Sequence, residues 1–156
     1  LIFNHAIDSI QNVTVEAGFT REISESANNT AYYRNAYGLG LAYNFVHTTY
    51  GLDLERQVTK NQGDKRTKNE VRAIVRQGLN EDWNVYAMYA YKTDKQFGDT
   101  DRTRQFMVGT EYYVYNQGSL KVKPFLEWQA TRTKYENSTV DRSRDFKTVI
   151  GLRAYW

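Results

Sequence analysis

Apolar and polar residues alternate along most of the chain, most clearly in the closing segment. There, one parity holds Phe146, Thr148, Ile150, Leu152, Ala154 and Trp156, and the other holds Lys147, Val149, Gly151, Arg153 and Tyr155. A period of two residues is typical of a β-strand, because successive side chains point to opposite faces of the sheet. The segment is therefore predicted to be a strand with one apolar face and one largely polar face.

The same alternation recurs seven more times along the chain. Together with the closing segment, the predicted strands are Val13–Arg21, Tyr33–Phe45, Thr48–Glu55, Glu70–Leu79, Trp83–Tyr91, Gln105–Tyr115 and Leu120–Thr131. Residues 1–12 precede the first strand as a short N-terminal extension, and residues 13–156 form a single domain. Pro124 lies inside a strand, where the missing N–H predicts a bulge or a lost ladder bond.

The predicted connections alternate in length. The long ones are Glu22–Tyr32, Arg56–Asn69, Lys92–Arg104 and Arg132–Asp145, and the short ones are Val46–His47, Asn80–Asp82 and Asn116–Ser119. Outer-membrane barrels sort their connections in this way, with short periplasmic turns and long extracellular loops. The pattern predicts an all-β fold, an eight-stranded antiparallel up-and-down transmembrane β-barrel.

Composition is compatible with this fold. The mean hydropathy is −0.73, and no apolar run approaches the roughly 20 residues of a transmembrane helix. Membrane barrels can have such values because only every second strand residue faces lipid. The 13 Tyr, 7 Phe and 3 Trp favour strands. The net charge of +3 is too small to indicate nucleic acid, which we do not expect as a partner.

Alternation alone does not say which face points outwards. Aromatic residues near strand ends on the apolar face indicate contact with a lipid bilayer, because Trp and Tyr concentrate at membrane interfaces. The predicted interfacial aromatics are Tyr33, Tyr43, Trp83, Tyr91, Tyr112, Trp128 and Trp156. The alternative is a soluble ligand-binding barrel with an apolar interior.

The polar face carries charges of both signs, which a membrane barrel would place in its lumen. The predicted lumen-lining charges are Arg34, Asp53, Glu55, Arg72, Arg76, Glu111, Lys121, Lys123, Glu127, Lys147 and Arg153. Eight strands leave room only for side chains, which predicts an interior largely filled by paired charges. The alternative is a channel selective for small anionic solutes through its Arg and Lys rows.

Chemistry beyond charge is sparse. The two histidines, His5 and His47, show no convergent Ser or carboxylate partners, so no catalytic residue and no enzyme activity is expected. No metal-ligand spacing and no cofactor motif appears. The predicted loop Arg56–Asn69 holds five Lys or Arg residues against one Asp, which indicates a contact with lipopolysaccharide phosphates or an acidic surface partner.

The closing segment, which ends on Trp156, resembles the C-terminal signal of Gram-negative outer-membrane β-barrels. This resemblance implies the bacterial outer membrane as location and the barrel-assembly machinery as a partner of the last strand. The strand set resembles barrels of the OmpA transmembrane-domain and OmpX type, which implies a structural or surface-interaction role. A weaker resemblance to KdgM-type porins, which have about twelve strands, implies transport of acidic oligosaccharides.

Overall fold

The computed structural model describes residues 2–6, 13–25, 31–61, 64–117, 120–137 and 142–155. These residues form ten strands: β1 Ile2–Ala6, β2 Val13–Glu25, β3 Ala31–Phe45, β4 Thr48–Asn61, β5 Asp64–Gly78, β6 Trp83–Gln96, β7 Asp99–Tyr112, β8 Tyr115–Gln117, β9 Leu120–Lys134 and β10 Arg142–Tyr155. No helix long and apolar enough to cross a membrane is found among them.

The strands form one antiparallel sheet in chain order, in which each long strand pairs with its sequence neighbours. The eight long strands β2–β7, β9 and β10 confirm the predicted all-β, up-and-down fold. β1 lies within the predicted N-terminal extension and pairs with β2, so the sheet begins before Val13. Among the described residues, β10 pairs with β9 alone, so the sheet has edges at β1 and β10.

The predicted long loops are wrong in two places, because strands continue through them. β4 and β5 pair in register from Thr48↔Gln77 to Asn61↔Asp64, so most of Arg56–Asn69 is a hairpin. β6 and β7 are joined by a turn at Phe97 and Gly98, both with positive φ (52° and 95°). Polar residues can pair across strands as well as apolar residues do, whereas the alternation of apolar and polar residues marks only the apolar part of each strand.

The two ends of the sheet differ. At the short-turn end, apolar residues reach almost to the turns, as Phe45 and Trp83 show. At the opposite end, β5, β6, β7, β9 and β10 continue for several residues past their last outward apolar side chain. We call this the extended end, and we take the membrane-spanning segments to be the strand portions whose outward side chains are apolar. The sequence predicted that the two ends of the sheet differ in the length of their loops. The structure shows that they differ in how far the strands extend.

Pro124 lies where a ladder is interrupted. The β7–β9 ladder ends at Glu111↔Phe125, and pairing resumes only at Tyr115↔Val122 of β8. On its other side, Pro124 pairs with Leu152 of β10 without a break. The lost ladder bond expected at this proline is confirmed, because the β7 side of β9 makes no ladder contact there.

The apolar face is exposed. Leu39, Leu52 and Val108 are 37–39% exposed and Ile150 is 80% exposed, although each lies in a paired strand. The polar face is more enclosed, since Tyr86, Glu111 and Lys123 are 6%, 2% and 7% exposed. A soluble barrel with an apolar interior requires the reverse arrangement. A continuous apolar surface of this kind needs an apolar partner.

At the extended end, outside the membrane-spanning segments, an ion pair connects β5 and β6. Arg66 on β5 donates to both carboxylate oxygens of Asp94 on β6, at 2.8 and 2.5 Å. These hydrogen bonds hold the pKa of Asp94 below its ordinary value. Because the folded pKa is the lower one, the pair stabilises the hairpins above the unfolded pKa of about 3.9. The stabilisation is lost as pH falls through the folded pKa.

We therefore predict that the tips of β5 and β6 loosen between pH 5 and pH 2.5. Arg66 is partly exposed, so the contribution is about 0.5–1 kcal/mol. Hydrogen exchange, corrected for intrinsic rates, should show lower protection of residues 65–68 and 93–96 at the lower pH. Asp94→Asn should show this low protection at both pH values. Equal pH dependence in the two proteins would contradict the role given to Asp94.

Candidate functional site on the polar face of the sheet

All the predicted lumen-lining charges lie on the polar face, as period two requires. Most are ion-paired there. Arg34 pairs with Glu22 (3.6 Å), and Arg72 pairs with Glu70 (2.9 Å) and Asp53 (3.7 Å). Lys121 and Lys147 are exposed and have no ion pair with a described residue. Placement on this face agrees with the prediction, while the role of these residues in a lumen stays a prediction.

One cluster connects five strands. We define the Glu111 cluster as Arg76 on β5, Tyr86 on β6, Glu111 on β7, Lys123 and Glu127 on β9, and Arg153 on β10. Glu111 Oε1 accepts from Arg76 Nη1 (3.2 Å) and Lys123 Nζ (3.3 Å), and Oε2 accepts from Arg153 Nη1 (3.2 Å). A buried carboxylate needs such partners, because desolvation alone disfavours its charged form.

Two of these contacts pass over an intervening strand. Arg76 on β5 reaches Glu111 on β7 across β6, and Arg153 on β10 reaches the same carboxylate across β9. Strands two positions apart lie about 9.6 Å from one another, and their side chains converge on the concave side of a curved sheet. Together with the low exposure of Tyr86, Glu111 and Lys123, these contacts indicate that the polar face is the inner face of the curve.

Tyr86 and Glu127 complete the cluster. The Tyr86 hydroxyl donates to Glu127 Oε1 (2.6 Å), which also accepts from Arg153 Nη2 (2.5 Å). The ring of Tyr86 reaches that far because its cross-strand neighbour is Gly109. A Cβ at Gly109 would lie 2.6 Å from the ring. Phe125 lies over Gly151 in the same way, and the Arg153 guanidinium stacks 4.1 Å from its ring centroid.

Sequence reasoning missed the aromatic members of this site. Strand parity places Tyr86 and Phe125 on the polar face, but nothing in their local sequence indicates that they bind charged groups. A usable signal is the pairing of each aromatic with a cross-strand glycine, Tyr86↔Gly109 and Phe125↔Gly151. That signal requires the register of the sheet, which a single strand does not contain.

The polar face of β2–β5 is built differently. Small residues such as Gly18, Gly38 and Gly40 line a cleft of about 420 Å³. A Cβ at Gly18 or Gly38 would meet no atom within 4 Å. The charged residues that line the cleft are Glu16, Asp53, Glu55, Glu70 and Arg72. The polar face thus has a filled half around Glu111 and an unfilled, acidic half.

The predicted interfacial aromatics lie on the apolar face. Tyr33, Tyr43, Trp83, Tyr112 and Trp128 are 38–47% exposed. Trp83 and Tyr112 pair across strands near the short-turn end, and Tyr91 pairs with Arg104 towards the extended end. Trp128 packs between Phe106 and Phe146, and Trp156 lies outside the described residues.

Among the described residues, no group of His, Cys, Asp or Glu is placed to hold a metal ion.

The Glu111 cluster yields a first stability prediction. Glu111→Gln should lower the free energy of unfolding by about 3 kcal/mol, because three cations lose their buried counter-ion. Glu22→Gln is the matched control, since Glu22 and Arg34 are half exposed and 3.6 Å apart, and should cost less than about 1 kcal/mol. Urea unfolding of the refolded protein in detergent measures both. Equal losses of unfolding free energy in the two variants would show that Glu111 contributes no more to stability than an exposed ion pair does.

A second prediction concerns the space that Tyr86 occupies. Gly109→Ala should displace the Tyr86 ring, break its hydrogen bond to Glu127 and cost about 1–3 kcal/mol. Gly38→Ala is the matched control on the same face, because its new Cβ has free space. The same unfolding assay applies. A stable Gly109→Ala protein with an unchanged tyrosine environment would be inconsistent with the packing described.

Comparison with known proteins gives a fold but no family. No family model matches the chain, and no curated protein sequence matches it. A solved structure, described as outer-membrane expressed OmpT of Vibrio cholerae, is similar to it with a TM-score of 0.70 and 13% sequence identity. The match covers 99% of this chain and 55% of that chain, so the present chain spans about half the length of its structural neighbour. The chain therefore has the fold of an outer-membrane β-barrel.

Proposed function

We propose that the chain forms the wall of a β-barrel in a bacterial outer membrane and that its polar face bounds a water-filled passage for small hydrophilic solutes. The exposed apolar face supports the membrane location, since Leu39, Leu52 and Ile150 are 39%, 37% and 80% exposed although they lie beside apolar cross-strand neighbours. Several strands of 14 or 15 residues exceed the roughly 9–11 needed to cross a bilayer.

The main evidence for a water-filled passage is the unfilled cleft on β2–β5. A lumen packed with side chains brings opposite strands within reach of one another, as in small eight-stranded barrels. In the described part of the sheet, contacts between strands link neighbouring strands, and side chains reach at most three strands away, from Arg153 on β10 to Tyr86 on β6. Gly18 and Gly38 leave further space rather than filling it. The unfilled cleft supports a wider interior than the sequence predicted.

The charges of the cleft favour cations over the anions of the channel that the sequence left open as an alternative. Four carboxylates line it against one guanidinium, that of Arg72, which is paired with Glu70 and Asp53. In the other half, Arg76, Lys123 and Arg153 are paired with Glu111 or Glu127, while Lys121 and Lys147 have no ion pair with a described residue. Rings of Asp and Glu favour cation passage. We therefore assign small cations or neutral polar solutes to this passage.

The Glu111 cluster supports a second candidate, a structural barrel that acts through surface contacts. The cluster fills the polar face between β5 and β10 and could close the lumen. For such a protein we propose two contacts. Arg56, Lys60 and Lys65 on the apolar-face side of the β4–β5 hairpin would approach lipopolysaccharide, and the edge strand β10 would engage the barrel-assembly machinery.

Planar-bilayer recording decides between the two candidates. The passage predicts stable conductance steps that prefer K⁺ over Cl⁻, and Asp53→Asn with Glu55→Gln should reduce that preference by removing cleft charge. Glu81→Gln in the exposed turn at the short-turn end is the control and should change nothing. Absence of conductance from folded protein would favour the structural barrel.

Membrane residence itself is tested separately. Folded protein should need detergent to stay in solution and should migrate differently on a gel before and after boiling. Detergent-free solubility without that shift would overturn both candidates.

A further inference from the structure

The register of the sheet assembles two rows of cations that are scattered in the sequence. Across β7, β9 and β10, Arg104 pairs with Arg132, and Arg132 pairs with Arg144. One step further towards the extended end, Arg102 pairs with Lys134, and Lys134 pairs with Arg142. We call these six residues the outer basic rows. All six are exposed, and by strand parity they belong to the apolar face, opposite to the Glu111 cluster.

The rows lie at the border of the apolar surface. Two residues towards the short-turn end, the same three strands present the row Phe106↔Ala130↔Phe146. Beyond it lies Trp128, which packs between the two phenylalanines. If acyl chains cover these apolar residues, the outer basic rows lie at the depth of lipid head groups, where Arg and Lys side chains meet phosphates.

The six cations have no counter-ion among the residues that the structure describes. None of them forms a salt bridge with a described residue, whereas most cations of the polar face do. Outward positions of the described parts of β7, β9 and β10 include no Asp or Glu. Glu136 borders a small cleft with Arg102 and Lys134, but its Oε2 accepts from the Thr100 backbone N–H. Like charges directly opposite one another destabilise a sheet, so this arrangement calls for an external anion.

We propose that the outer basic rows bind the two phosphate groups of a phosphorylated glycolipid in the outer leaflet, the lipid A part of lipopolysaccharide. Strands about 4.8 Å apart and rows about 7 Å apart give a grid of six donors with room for two phosphates. A phospholipid offers one phosphate and would leave several of the cations without a partner. This inference rests on the proposed membrane location, and it concerns a different surface from the β4–β5 hairpin.

Binding of purified lipid A to the folded protein in neutral detergent tests the proposal, with native mass spectrometry counting the bound molecules. Replacing Arg104, Arg132 and Arg144 by Gln should weaken lipid A binding by about tenfold or more, because three charged hydrogen-bond donors are lost. Replacing Lys68, Lys121 and Lys147 by Gln is the matched control. It removes the same charge from the polar face and should leave the affinity within about twofold of the wild-type value.

Three further ligands test whether the bound phosphate groups must be those of lipid A. Lipid A without its phosphates should bind at least about tenfold more weakly than lipid A, and neither inorganic phosphate nor phosphatidylglycerol should displace bound lipid A at equal concentration. Equal weakening by the two triple variants would overturn the proposal, as would equal binding of phosphatidylglycerol. A triple variant that keeps its heat-dependent gel shift but loses lipid A binding supports the inference. If the wild-type protein failed to insert into membranes, that result would instead contradict the proposed function.

Discussion

The antiparallel pairing of the strands from β2 to β10 fixes which residues meet. Its register sets the face of every side chain, and a slip of one residue would exchange the faces. Leu52 would then exchange faces with Asp53, and Phe146 with Lys147. The two faces differ so strongly in polarity that such a slip would place charges against lipid. The same register brings Arg76, Glu111 and Arg153 together although they are far apart in sequence.

On the polar face, the register makes a carboxylate the centre of packing. Glu111 takes the place of a buried apolar residue, and three cations and the Glu127–Tyr86 pair surround it. Two glycines make this packing possible. Gly109 and Gly151 leave room for the rings of Tyr86 and Phe125, and the guanidinium groups of Arg76 and Arg153 stack on these rings. Stability on this face thus depends on charged and aromatic groups that satisfy one another, with little apolar burial.

Charge is divided between the faces according to the solvent that each face meets. On the polar face, acids and bases alternate and pair, which suits an aqueous interior. On the opposite face, the extended end of β7, β9 and β10 carries cations without carboxylates, which suits a layer of lipid phosphates. A fold that buried its apolar residues in a dry core would have no use for this division. The division is therefore evidence about the surroundings of the protein as well as about its stability.

The sequence by itself determined the strands, their order and the two faces, because alternation is a local property that survives in every part of the chain. It indicated that Arg72, Glu111 and Arg153 share a face, and that Pro124 would break a ladder. Tertiary structure alone decided where strands end, because the polar hairpin around Arg56–Asn69 forms through pairing with a neighbour. It also decided which charges meet. Glu111 with Arg153, and Arg104 with Arg132 and Arg144, become neighbours only through the register and curvature of the whole sheet, which no single strand encodes.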